Sequence, residues 1–146
     1  MIKLPYPPTI NHYYGERRNK TKYIKKAGLD FRSAVKKILT DAQSEIIDAP
    51  CIITTLILVG KDKRKRDNDN AFKSLQDSIM SAGFLIDDSL IYEYEKVSKS
   101  KNGKVMYDID KIGFCLVEFE KIKGDVGGFI GVKASDFEIN NKLLKD

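Results

Sequence analysis

The stretch CIITTLILV, Cys51 to Val59, restricts the fold more than any other part of the chain. It is apolar or threonine throughout, rich in β-branched residues, and bounded by Pro50 and Gly60. Such side chains are stiff at χ1 and pack well on a pleated surface, which predicts a strand buried on both faces. It falls far short of a membrane span, which takes about 20 apolar residues, so no membrane partner is expected. A buried strand needs a covering layer. Phe72, Leu75, Ile79 and Ala82 recur at helical spacing and predict a helix from Asn70 to Ala82, stopped at Gly83. Upstream, Phe31, Ala34, Val35, Ile38, Leu39 and Ala42 predict another from Ala27 to Ile47, ended by Asp48 and Pro50.

The remaining elements follow from turn chemistry. Residues 1–4 read as a short strand, after which Pro5, Pro7 and Pro8 hold the chain extended and exclude helix. Ile91 to Ser98 alternates like a strand, Asn102-Gly103 favours a type I′ hairpin, and Val105 to Glu120 supplies the return strand, interrupted near Gly113. The expected fold is α+β: an α/β-type mixed sheet packed against two main helices in a single compact domain. The composition changes at Lys121, with Gly124, Gly127, Gly128 and Gly131 close together. Residues 1–120 are therefore expected to form the domain and 121–146 a Gly-rich extension whose end, SDFEINNKLLKD, is a short helix or frayed. Cys51 and Cys115 lie in strand-like surroundings without a CxxC or a neighbouring His, and read as buried free thiols.

The net charge is +5 and the pI about 9.1, too mild to name a partner. The distribution says more. Arg17, Arg18, Lys20, Lys22, Lys25 and Lys26 form one basic block, with Tyr13, Tyr14 and Tyr23 in or beside it; Lys61 to Arg66 form another. Cations with aromatic neighbours suit a phosphate backbone, from which they displace condensed counterions. A solvated surface is the alternative.

Immediately after Lys63, Arg64, Lys65 and Arg66 come Asp67 and Asp69. In an extended or turning backbone, residues i and i+2 project to the same side. Carboxylates that close repel, so one takes up a proton or both bind a cation. Mg²⁺ suits them, preferring carboxylate oxygens and keeping waters or phosphates as other ligands. Alternatively, Asp69 caps the second helix and Asp67 pairs with Arg66 or Lys65. An EF-hand is excluded, because Ala71 and Phe72 occupy its third-ligand and glycine places. Lys61 to Arg66 also separate the acids from the strand end, unlike the phosphohydrolases of the haloacid dehalogenase type. Lys73, one turn from both Asp69 and Asp77, is either an ion-pair member or a cation beside the metal. Asp87 and Asp88 follow the reversal at Gly83. If the strands flanking the helix are neighbours, this loop returns toward Asp67, and three acids from two loops surround one metal; the alternative is an exposed acidic turn. His12, the only histidine, reads as structural or phosphate-contacting.

Taken together, LPYPPTINHYY, KRKRDNDNAFKSLQDSIMSAGF and LIDDSLI resemble the RusA-type Holliday junction resolvases. That family carries Pro-Pro-x-x-Asn-x-x-Tyr, a basic run, Asp-x-Asp-Asn, a Lys four residues beyond the second Asp, and an Asp-Asp pair after the helix. Pro7, Pro8, Asn11, Tyr14, Asp67, Asp69, Asn70, Lys73, Asp87 and Asp88 occupy those places here. Asn68 stands where the family commonly has an apolar residue. The resemblance implies a homodimeric, Mg²⁺-dependent endonuclease, with Mn²⁺ as a substitute, that cuts paired strands of branched DNA at four-way junctions. It implies Asp67, Asp69 and Asp88 as catalytic and metal-binding acids and Lys73 as the essential lysine. Asn11, Asn70 and Asp87 take supporting positions, and Lys63, Arg64, Lys65, Arg66, Arg17, Arg18 and Lys20 bind DNA. A location in the cytoplasm of a bacterial or phage-infected host cell is expected. Two rivals remain: a non-catalytic, structure-selective DNA-binding module, and a Mg²⁺-dependent enzyme acting on a small phosphate compound.

Overall fold

A computed structural model describes residues 1–144. The chain runs β1 (Ile2–Pro5), α1 (Ile10–Tyr13), β2 (Tyr14–Glu16), β3 (Lys22–Ile24), α2 (Lys26–Asp41), β4 (Cys51–Val59), α3 (Asn68–Ser81), β5 (Ile91–Tyr94), β6 (Val97–Ser98), β7 (Ser100–Lys101), β8 (Lys104–Val105) and β9 (Phe114–Lys121). In the main sheet β9 lies between β1 and β4 and is antiparallel to both, while β5 and β6 run parallel to β4 on its other side. Pro5 stands on the edge strand β1, where its missing N–H breaks no inner ladder. This is the expected mixed sheet with two main helices.

Helices α2 and α3 pack on each other and on the sheet in one apolar cluster that includes Val35, Leu56, Leu75 and Val117. Because both helices share a side, the other face of β4 is only partly covered: Ile52, Thr54 and Ile57 are half-buried. The expectation of burial on both faces is corrected there. A register shift between Ile53 and Thr55 lets Cys51, Ile53, Leu56 and Leu58 all turn inward despite uneven spacing.

Helix α2 ends at Asp41, six residues before the expected Ile47. The Ser44 N–H reaches back to the Leu39 carbonyl (3.0 Å) and the Gln43 N–H to Thr40 (3.0 Å), with Gln43 in the left-handed region at φ 51°. That is a Schellman termination built without its usual glycine. Freed from the helix, Ile47 bridges Leu85. Gly83, at φ 84°, ends α3 with the same pair of bonds, as its sequence position predicts.

The type I′ hairpin is present, with Asn102 and Gly103 both at positive φ. The return strand is not continuous: β8 stops at Val105 and β9 begins at Phe114, with a tight turn between them. Beyond β9, residues 122–144 form no strand and only one 3₁₀ turn, Ala134–Asp136, so the helix alternative for SDFEINNKLLKD is not adopted over its described part. Its last two residues lie outside the described range. Among the described residues, no helix is long and apolar enough to cross a membrane. Both cysteines are buried and free, and burial pushes the Cys115 thiol up to about 12.

The N-terminal segment is not wholly extended, since α1 supplies one helical turn after the prolines. It is fastened to α3 by two fully buried serines. Ser74 Oγ donates to the Pro8 carbonyl (2.6 Å), and Ser78 Oγ shares a hydrogen bond with the Tyr13 hydroxyl (3.1 Å), which also accepts from Arg32 Nε. Gly28 lets α2 approach closely: a Cβ there would lie 2.9 Å from the Tyr13 carbonyl oxygen. Gly28→Ala is therefore expected to cost about 1–3 kcal/mol, as overpacking against backbone does. Urea unfolding measures it, and an unchanged midpoint would refute the close fit.

Candidate active site

Between β4 and α3 the basic run folds around an acid not singled out in the sequence. The Asp62 carboxylate accepts the Arg64 N–H (3.0 Å) and stands 2.7 Å from Arg66 Nη2 and 3.6 Å from Arg64 Nη2. The Arg64 N–H, with help from Arg66, holds the Asp62 carboxyl below the usual range. The Arg66 guanidinium also lies 5.7 Å from the Tyr6 ring and fills the space over Gly60, where a Cβ would come within 2.4 Å of Nη1. Lys99 Nζ donates to the Arg66 carbonyl (2.8 Å), and Lys63 Nζ sits 5.4 Å from the Tyr107 ring.

The cations thus leave Asp67 and Asp69 alone. Helix α3 begins two residues earlier than expected, so Asp67, not Asp69, is its N-cap, and the Asp67 side chain makes no capping bond. Asp69 is in the first turn. Both are exposed and, among the described residues, neither has a hydrogen-bond or ion-pair partner. Both alternatives to a metal role, a cap by Asp69 and a salt bridge by Asp67, are absent. Between them, Asn68 Oδ1 is buried and, among the described residues, without a hydrogen-bond partner. Asp67 and Asn70 face a cavity of about 220 Å³ also lined by Tyr6, Pro7, Thr9, Lys65 and Arg66. Among the described residues, no hydrogen bond or ion pair occupies the Lys65 ammonium.

Further along α3, Lys73 Nζ is 3.4 Å from Asp77 and 5.8 Å from the Tyr14 ring. The ion-pair alternative for Lys73 is realised on its Asp77 side. Burial, and then the charge of Asp88, raise the Asp77 carboxyl, and the turn that begins at Asp88 packs against α3. Asp87 accepts the Ser89 N–H (2.9 Å) and caps the 3₁₀ turn Asp88–Leu90, which holds its carboxyl low. Tyr94, stacked on Phe72 at 5.7 Å and bonded to Gln76, closes this side.

The strands flanking α3 are neighbours, but they are parallel, and Ile91 pairs level with Cys51 at the start of β4. The loop of Asp87 and Asp88 therefore emerges at the far end of the helix from Asp67. Asp69 and Asp77 are eight residues apart on α3, about 12 Å along the axis. Among the described residues, no three His, Cys, Asp or Glu side chains stand together as a metal-holding set. The expected return of the loop to Asp67 within one chain is overturned by the parallel crossover.

The first basic block is a β2–β3 hairpin with Arg17, Arg18 and Lys20 exposed at its tip. The Arg17 N–H donates to Thr21 (2.8 Å), Lys20 adopts φ 65°, and the Arg17 guanidinium lies 4.9 Å from the Tyr23 ring. Asn11 lies in α1, its carbonyl accepting Lys25 Nζ (2.8 Å), and His12 Nδ1 is 2.8 Å from Thr9 Oγ1, a structural contact.

The family model for endodeoxyribonuclease RusA matches residues 5–109. The chain belongs to the RusA family. It is 32% identical over 114 residues to the crossover junction endodeoxyribonuclease RusA of Escherichia coli O139:H28 (strain E24377A / ETEC), covering 77% of this chain and 94% of that protein. The same identity and coverage hold for the proteins of that name from Shigella sonnei (strain Ss046) and Enterobacteria phage 82. The match to the RusA family contains every candidate acid and both basic blocks, and it stops before the Gly-rich extension.

Several residues of this candidate site carry little signal in the sequence. Asp62 was hidden among like-spaced cations, and only the folded loop shows which acid they surround. Asp77 stood out only as a partner for Lys73. Tyr6 and Tyr94 carried no signal, since their neighbours come from distant segments. Because Lys65 is free while Arg66 is engaged by Asp62, Lys65→Ala is expected to weaken DNA binding and lower its salt slope by about one. Binding titrations from low to high salt check this, and an unchanged slope would remove Lys65 from phosphate contact.

Proposed function

We propose that this RusA-family endonuclease resolves four-way DNA junctions by Mg²⁺-dependent, paired phosphodiester hydrolysis. The observation that carries the reading is that Asp67 and Asp69 are exposed and, among the described residues, uncommitted, with Asp67 lining a cavity beside Lys65 and Arg66, while the adjacent arginines are engaged by Asp62. Free carboxylates next to lysine and arginine without pairing to them are suited to a ligand outside the chain. The donor set fits Mg²⁺, and Mn²⁺ as a substitute, because all its side-chain donors are hard carboxylate oxygens. The third carboxylate is Asp88. Since α3 holds it apart from Asp67 and Asp69 in one chain, a two-fold homodimer supplies it from the other subunit and repeats the site for the opposed strand.

Asp67, Asp69 and Asp88 would hold the metal, which would supply activation of water and of the scissile phosphate. This chain's own residues do the rest. Lys65 and the exposed arginines of both basic blocks hold phosphates and set the register of the backbone. Asn70 presents its amide to the cavity occupied by the strand. Lys73, exposed on the same helix, leaves Asp77 to offset charge that develops on the reacting phosphate. Asp87 shapes the turn that presents Asp88. The product is a resolved recombination or repair intermediate in the cytoplasm of a bacterial or phage-infected cell.

The test incubates the protein with a labelled four-way junction and a linear duplex, with and without Mg²⁺. Symmetric junction nicking that needs Mg²⁺ is expected, with little cutting of the duplex. Tight junction binding without nicking would favour the DNA-binding module. Turnover of a small phosphate compound without DNA cutting would favour the third reading.

A further inference from the structure

The turn between β8 and β9 has a construction that the catalytic reading does not use. The Asp108 carboxylate accepts the N–H groups of Asp110 and Gly113, each at 2.9 Å, and its carbonyl accepts that of Lys111 at 3.0 Å. Its own N–H donates to the Gly60 carbonyl at 2.7 Å, beside the Gly60–Tyr107 bridge. Lys111 at φ 60° and Gly113 at φ 84° complete the reversal. With so many backbone groups satisfied by one aspartate, the turn is a rigid support.

That support presents two isoleucines to solvent: Ile109 is 83% exposed and Ile112 76%. Neither belongs to the core. At the base of the turn Lys61, Lys63 and Lys111, with Tyr107 and Asp62, line a cavity of about 360 Å³. An apolar tip on a lysine-lined base is ill-suited to another protein's apolar surface, since the lysines would have to lose their water. It suits nucleic acid, where phosphates take the lysines and a gap between bases takes the aliphatic tip. Its place is also informative. Gly60, which anchors the turn, is covered by the Arg66 guanidinium, and Asp67 follows Arg66 directly.

We propose that Ile109 and Ile112 are a wedge that enters the base step at the branch point of the DNA, with Lys61, Lys63 and Lys111 on the flanking phosphates. This inference rests on the reading that branched DNA is the substrate. Driving an apolar side chain into an intact duplex requires unstacking a paired step, whereas a branch point already has a weakened one. The wedge is thus a device that discriminates junction from duplex, and the first basic block is not part of it.

The test uses the full chain in EDTA, which prevents cutting, and a four-way junction carrying 2-aminopurine at the branch point. Wild-type protein is expected to raise the fluorescence by unstacking that base and to prefer junction over duplex. Ile109→Ser/Ile112→Ser is expected to lose the rise and reduce junction affinity about tenfold while leaving duplex affinity unchanged, a size typical of losing base contacts with a side chain. Ile109→Leu/Ile112→Leu, which keeps an apolar tip, is expected to restore both. Both pairs are exposed, so an unchanged melting curve accompanies either result. A serine variant that raises the fluorescence and prefers junctions as wild type does would overturn the wedge alone. Absence of any junction preference in the wild type would instead sink the substrate reading and the wedge with it.

Discussion

Mixing Asp69→Asn subunits with Asp88→Asn subunits is expected to restore Mg²⁺-dependent nicking of a four-way junction, although each variant alone is inert. The reason is topological. Helix α3 separates Asp69 from the neighbourhood of Asp88, beside Asp77, by about 12 Å along its axis, and β5 pairs in parallel with the start of β4. If Asp88 serves the other subunit's pair, a mixed dimer has one doubly damaged site and one intact site. It then nicks one strand without the paired second cut. If the three acids act within one chain, both sites of the mixed dimer are damaged. A mixed dimer as inactive as its parents would therefore show that the loop of Asp87 and Asp88 moves toward Asp67 in the same subunit.

Asp69→Asn by itself is expected to abolish cutting while leaving the junction bound. The amide is nearly the same shape and remains compatible with the first turn of α3, but it removes the negative charge a metal requires. A loss of at least about 10²-fold in nicking rate is expected, the order seen when one charge-stabilising group is taken from an active site. Binding holds or tightens, because an anion facing DNA phosphates is removed. Stability changes little, since Asp69 makes no capping bond or ion pair. Gel-shift titrations beside single-turnover nicking separate the two effects. Cutting at the wild-type rate would take Asp69 out of the reaction, and loss of binding together with cutting would place it in the DNA contact instead.

Several local, backbone-driven signals in this chain agree with the structure. Asn102-Gly103 made its type I′ turn, Gly83 ended α3, and the apolar run of Cys51 to Val59 became the central strand. They failed where a residue acted against its type. Gln43 ends α2 in a conformation usually left to glycine, so the helix looked longer than it is. The bulge near Thr54 let both sides of β4 look equally apolar. The β2–β3 hairpin has strands of three residues each, too short for alternation to show.

The acids divide in the same way. Asp67, Asp69, Lys73, Asp87 and Asp88 stand out in the sequence by type and spacing, because closely placed carboxylates are the pattern a cation suits, and spacing along a chain is written in its sequence. Which of those acids the neighbouring cations neutralise was not legible. Arg64 and Arg66 turn to Asp62, a choice made by the bend of a loop held at Gly60. Nor could spacing tell that the second acidic pair leaves α3 at the far end. That depends on whether β5 lies parallel or antiparallel to β4, a matter of long-range pairing that no local pattern encodes. By itself, the sequence determined the elements and their chemistry; tertiary structure decided which residues meet, because contacts between distant segments arise from packing rather than from neighbours along the chain.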